Sequence, residues 1–141
     1  MPALLEDDLA QLDALAPGYA SEWNAITSGA SVLLEGPRDA TQAAIALLTR
    51  HMTEPILSMR GGDPSEMTTG EIGGVILEDV AELSADDQER LLGWLDAIRP
   101  FTQVIATTAS PLFHHVSRRR FTAALYYRLN VILVTVGLPG V

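Results

Sequence analysis

At 141 residues the chain is long enough for one domain with a real core and short for two. Its 48% hydrophobic and 19% charged residues exclude a disordered chain, collagen or a coiled coil, and the absence of cysteine removes disulfides, thiol catalysis and most structural zinc sites together. The net charge is −9, and because all nine bases are arginine, Schiff-base chemistry and any lysine-dependent phosphate site are excluded as well.

Leucines at 5, 9 and 12 predict a helix over residues 4–15, stopped by Pro17-Gly18. This N-terminal helix (residues 1–18) precedes the main domain, residues 19–141. A second helix is expected over about residues 19–28, before Gly29. The apolar run 31–35, closed by Gly36-Pro37, reads as a buried strand. Residues 39–52 read as a helix capped by Asp39, with Ala43, Ala44, Leu47 and Leu48 as its inward stripe. A strand at 55–59 leads into a loop over 60–74 rich in Gly, Asp, Pro, Ser and Thr, and residues 75–77 form a strand ending in Glu78-Asp79. Residues 84–98 predict an amphipathic helix with Ser84 as N-cap and Asp87 completing a capping box. A strand at 103–108, short helices at 112–118 and 121–129 and a last strand at 131–136 follow. Strands alternating with helices argue for an α/β fold, a parallel sheet covered on both faces.

In such a sheet ligands bind at the carboxyl ends of the strands. Three ends stand out: Glu35 with residues 36–42 after it, Glu78-Asp79, and Thr107-Thr108-Ala109. Four stretches in order carry a family resemblance. They are Val32-Leu-Leu-Glu-Gly36, Gly73-Gly-Val-Ile-Leu-Glu-Asp-Val-Ala-Glu-Leu83 with Gln88-Glu-Arg-Leu-Leu92 beyond it, Val104-Ile-Ala-Thr-Thr108, and Phe121-Thr-Ala-Ala-Leu-Tyr-Tyr-Arg-Leu-Asn-Val131. Over about residues 19–136 the chain resembles the AAA+ domain of sigma-54-dependent transcriptional activators. Leu125 to Val131 is the most specific part, agreeing with the family at every residue. The resemblance implies a P-loop NTPase-like three-layer sandwich with a five-stranded parallel sheet. The Val32 strand is then central between the Val131 and Val104 strands, with the Val75 strand beyond. The helical lid of the family would fall after the last residue.

The departures from the family pattern fall on its catalytic parts. A working P-loop is G-x-x-x-x-G-K-[ST], in which backbone N–H groups wrap the phosphates, lysine offsets their charge and the hydroxyl holds Mg²⁺. Here Gly36 opens the loop, but Thr41 stands for the second glycine, Gln42 for the lysine and Ala43 for the hydroxyl residue. Glutamine donates a hydrogen bond without charge, and Asp39 adds a charge that repels phosphate. At the Walker B position the family's aspartate–glutamate order is exchanged to Glu78-Asp79, which displaces each carboxylate by about one methylene. Such a pair either holds a cation or is neutralised by a nearby arginine. Ala109 replaces the sensor asparagine, and the loop hexapeptide Gly-Ala-Phe-Thr-Gly-Ala that touches the sigma factor is missing.

Arg128 matches the family's arginine finger, while Thr122 replaces its companion. As read from the residues alone, Arg128 is either an interface arginine or a helix-end arginine meeting carbonyls or a surface acid. His114-His115 with Arg118, Arg119 and Arg120 either contact an anionic partner or form a solvated face. Seventeen of the 18 acids but only four of the nine arginines lie in residues 1–90, so an acidic body carries a basic C-terminal third. That split suits self-association or an acidic partner, and an acidic body opposes broad nucleic-acid binding. No apolar run reaches about 18 residues and the N-terminus is acidic, so a cytoplasmic chain without membrane contact is expected.

The expected function is therefore a catalytically inactive AAA+-like module that acts by protein–protein interaction in transcription regulation, on an intact sigma-54 activator or on itself, with no cofactor. The alternative is a divergent ATP-binding protein or weak ATPase, using Gly36, Thr41 and Gln42 for nucleotide and Glu78 and Asp79 for magnesium.

Overall fold

A computed structural model describes residues 2–60, 72–98 and 102–139. Most of the loop expected over 60–74 lies outside the described residues. The elements run α1 (Pro2–Leu15), α2 (Ala20–Thr27), β1 (Val32–Glu35), α3 (Arg38–Leu48) and a 3-10 turn (Thr49–His51). They continue with β2 (Ile56–Arg60), β3 (Gly74–Glu78), a second 3-10 turn (Val80–Glu82), α4 (Ala85–Ala97), β4 (Gln103–Thr108), α5 (Leu112–Ser117), α6 (Ala123–Leu129) and β5 (Leu133–Thr135).

All five strands are parallel, in the order β2-β3-β4-β1-β5, so β1 lies between β4 and β5 with β3 beyond β4, as expected. The middle strand is β4 rather than β1, because β1 has only β5 on its far side. The strands' apolar residues split cleanly between the two faces, as the two-residue period of a strand requires. Leu33, Val75, Leu77, Val104 and Ala106 face Leu91, Trp94 and Leu95 of α4 and Leu125, Tyr126 and Leu129 of α6. Val32, Leu34, Ile76, Ile105 and Val134 face the other side, against Leu12 and Leu15 of α1, Trp23 and Ile26 of α2, and Ala44, Leu47 and Leu48 of α3. Both faces are buried, which is why these strands read as near-continuous apolar runs. No helix of the described residues is long and apolar enough to cross a membrane.

Local chemistry corrects three expectations. Asp39 does not cap α3: the helix starts one residue earlier, its N-cap is Pro37, and the Asp39 carboxylate accepts from the adjacent Ala40 N–H at 2.8 Å. Only half of the capping box forms on α4. Ser84 Oγ accepts from Asp87 N–H, while the Asp87 carboxylate turns to Arg90 at 3.2 Å. The last strand is shorter than expected, running only Leu133–Thr135: Val131 and Ile132 bend out of α6, and of the two only the Ile132 carbonyl reaches β1, accepting from Leu33 N–H at 2.8 Å.

Two glycines are sterically required. A Cβ at Gly36 would overlap the Val136 carbonyl oxygen, because the strand-to-helix turn threads between the ends of β4 and β5. Gly36 N–H donates to Thr108 O at 3.0 Å there, and Val136 N–H donates to Glu35 O at 2.8 Å. A Cβ at Gly73 would overlap the Thr53 carbonyl, which accounts for the first residue of the Gly73-Gly74 pair.

Candidate functional site

The parallel register brings Glu35, Arg60, Glu78 and Thr108 to one edge of the sheet, since Arg60 pairs with Glu78 and Glu35 with Thr108. At that edge the chain between β1 and α3 meets the chain leaving β3. Gln42, on the second turn of α3, donates its amide to Glu78 Oε1. Arg60 Nη2 donates to the same oxygen at 2.8 Å, and Arg60 Nε lies 3.6 Å from Asp79 Oδ2. Arg38, the first residue of α3, donates to Asp79 Oδ2 at 2.7 Å. Two arginines and two carboxylates thus form one cluster, neutral in sum.

Asp79 holds a left-handed backbone, φ 54° and ψ 50°. Outside glycine, Asp and Asn tolerate that conformation best, so the shorter acid sits where the turn is strained. Its N–H donates to Thr107 Oγ at 3.1 Å, which ties the turn to β4. Burial pushes the Glu78 carboxyl up, but the hydrogen bonds from Arg60 and Gln42 and the charges of Arg60 and Arg38 outweigh it. They hold the group below the ordinary carboxylate range. The same hydrogen bond raises the Arg60 guanidinium above its usual value.

The remaining P-loop positions are turned to structure. Thr41 is buried, and its hydroxyl donates to the Arg38 carbonyl at 3.0 Å. Glu35 accepts from Leu112 N–H at 2.9 Å and so satisfies the start of α5. Thr108 Oγ donates to Ser110 O at 2.7 Å. Ala109 lines an open depression of about 460 Å³ together with Arg38, Arg60, Asp79 and Glu82.

Arg128 takes no part in this cluster. It lies on α6, where Nη2 donates to the Leu95 carbonyl at 3.0 Å and Nε sits 3.5 Å from Asp96. It thereby serves one of the carbonyls that the end of α4 leaves without an intrahelical partner. Of the two roles open in the sequence, this geometry is that of the helix-end arginine, with the side chain partly exposed. Sequence reading missed Arg60 and the pairing role of Arg38. For Arg60 the available signal was its place as the last residue of a strand neighbouring the one that ends in Glu78.

The fold and the turn from β1 into α3 define a P-loop NTPase-like α/β protein. The sequence profile of the sigma-54 interaction domain matches residues 29–139, so the chain belongs to that family. No curated protein matches it in sequence. Among solved structures it is similar to NtrX from Brucella abortus in complex with ATP, at TM-score 0.66 and 16% identity over 94% of this chain and 36% of that one. NtrX in complex with ADP aligns at TM-score 0.64 and 18% identity, covering 89% of this chain and 38% of that one. The P-loop NTPase domain of a sigma-54 transport activator from E. coli aligns at TM-score 0.58 and 17% identity, covering 87% of this chain and 94% of that one. The chain thus spans under two fifths of these NtrX chains and nearly all of the E. coli domain.

Proposed function

We propose that this chain is a catalytically inactive member of the sigma-54 interaction domain family that acts through protein contacts in transcription regulation. The observation that carries the reading is the neutral cluster in the phosphate and magnesium position. Gln42 brings no charge to offset a triphosphate, Thr41 spends its hydroxyl on the Arg38 carbonyl, and Ala43 has no hydroxyl to give. The carboxylates that would face magnesium already accept from Arg38 and Arg60. These residues do not fit a magnesium–nucleotide complex. Each missing hydrogen bond to a charged group is worth about 1.5–3 kcal/mol, so their joint loss removes several decades of affinity.

The partner in this reading is an intact sigma-54 activator or a second copy of the chain, in the cytoplasm. The exposed Tyr127 and Val131 beside Arg128 supply contact surface. Calorimetry with Mg-ATP on the whole chain is expected to show no binding tighter than about a millimolar. A tighter constant would overturn the inactive reading in favour of a divergent ATP-binding protein, which the likeness to the ATP- and ADP-bound NtrX folds keeps in view. Mixing the chain with an intact activator is expected to change the activator's ATPase rate. Arg128→Ala, which also releases the Leu95 carbonyl, is expected to abolish that change. An activator whose rate is indifferent across the concentration range of assembly would overturn the interaction arm.

A further inference from the structure

A second concave site lies away from the cluster, between α4, the end of α5 and the start of α6. Its volume is about 360 Å³, and its lining combines an apolar floor, including Val116 and Phe121, with Arg119, Arg120 and Thr122 at the mouth. That volume lies at the small end of the range for organic ligands. None of the lining side chains is acidic. Neither arginine makes an ion pair among the described residues. The neighbouring acid Asp87 lies outside the lining and is engaged by Arg90.

The turn that presents these arginines is held from within. Gln88, fully buried on α4, donates its amide to Leu83 O at 3.0 Å and to Arg120 O at 2.9 Å, and its Oε1 accepts from Thr122 N–H at 2.8 Å. The His115 carbonyl accepts from the N–H groups of Arg120 and Phe121 at 2.8 and 3.2 Å. Arg119 is one of only two non-glycine residues with positive φ among the described residues, at 60°. A buried glutamine satisfied at every atom therefore fixes the 119–122 backbone, and anchoring the backbone beforehand lowers the ordering cost of binding.

We propose that this pocket binds a small organic anion, a phosphate or carboxylate carried on an aromatic or short aliphatic body. Arg119 and Arg120 hold the charge and the Val116–Phe121 floor takes the apolar part. Guanidinium groups suit both anions because their planar donors match two oxygens at once. The apolar floor favours an organic body over the bare ion, which would leave the solvent-reached part of Val116 against water. The inference stands apart from the nucleotide-position cluster and holds whether or not that cluster binds ATP.

The test is an amide-resolved NMR titration of the whole chain with phenyl phosphate and, in a second arm, with 3-phenylpropionate, to about 20 mM, the weak end of measurable affinity. Benzyl alcohol and inorganic phosphate serve as controls. Saturating shifts are expected on Gln88, Arg119, Arg120, Thr122 and Ala123 with at least one of the two aryl anions, and the arm that binds tighter identifies the anion. Each control is expected to bind at least tenfold more weakly. Arg119→Gly keeps the left-handed turn while removing the guanidinium, and together with Arg120→Ala it is expected to weaken binding at least tenfold at an unchanged melting temperature. No saturating shift at these amides with either anion overturns the proposal. So does binding as tight to benzyl alcohol or inorganic phosphate, or binding that survives the double variant.

Discussion

Glu78 carries a carboxyl whose acidity is set against its own burial by Arg60, Gln42 and Arg38. Its folded value lies below the unfolded one. The group therefore contributes stability that is present above the ordinary carboxylate range and is lost as the pH falls through the depressed folded value. Arg60 is the foremost of the groups that lower it. Arg60→Ala is accordingly expected to flatten the acid limb of stability against pH, seen in thermal melts from about pH 3 to about pH 7. The flattening comes from the neutral end, where the variant should lose about 0–1 kcal/mol, the worth of a half-exposed ion pair, while at the acid end, with Glu78 protonated, the two proteins should converge. An acid limb of unchanged slope would show that Arg60 does not set the carboxyl. The sequence offered neutralisation of Glu78-Asp79 by an arginine as one of two alternatives, and the ion pairs with Arg38 and Arg60 bear it out, but which arginines supply it was not legible residue by residue. The Walker-like letters at 36–43 and 78–79 told what was missing, but the arginines that fill the gap come from a helix start and a neighbouring strand end, which only the sheet register brings together.

Among the elements, α1 is held by a contact its sequence does not advertise. Asp8 is fully buried, and its carboxylate accepts from His51 Nε2 at 2.8 Å and from Arg50 Nη1 at 3.1 Å, both on the 3-10 turn after α3. In sequence Asp8 is one acid in the run Glu6-Asp7-Asp8, and the leucine spacing that marks the helix gives no sign that one acid points inward. Asp8→Ala leaves His51 without its acceptor and Arg50 free to turn to solvent. A loss of about 1–3 kcal/mol is expected in urea unfolding, the usual cost of a buried polar group deprived of its partner. A loss within about 0.5 kcal/mol, the range of ordinary surface substitutions, would place Asp8 outside the core. The strands were more legible than the helix starts. A strand buried on both faces must be apolar at nearly every position, whereas the start of α3 depends on how one proline and one aspartate share the first turn.

At the scale of the whole molecule the question is whether α1 is an addition to the sigma-54 interaction fold or part of its core. The family profile begins at residue 29, after both N-terminal helices. Leu12, Leu15 and Ala16 nevertheless lie in the same buried cluster as β1, β5, α2 and α3, and Gly137 N–H donates to Leu15 O at 2.9 Å across the C-terminal segment. Burying a leucine side chain is worth about 1.5–3 kcal/mol, so Leu12 and Leu15 together contribute on the order of 3–6 kcal/mol. Domain stabilities run to only about 5–15 kcal/mol in total. Removing α1 would also take away its packing against α2 and α3, in the cluster that holds Trp23 and Leu47. A chain starting at residue 19 is therefore expected to lose its cooperative melt and to aggregate at concentrations where the full chain stays monodisperse, followed by circular dichroism and light scattering side by side. A shortened chain that melts in one sharp transition within a few degrees of the full one would show instead that the fold is complete without α1, and that its leucines cover a surface the sheet does not need covered.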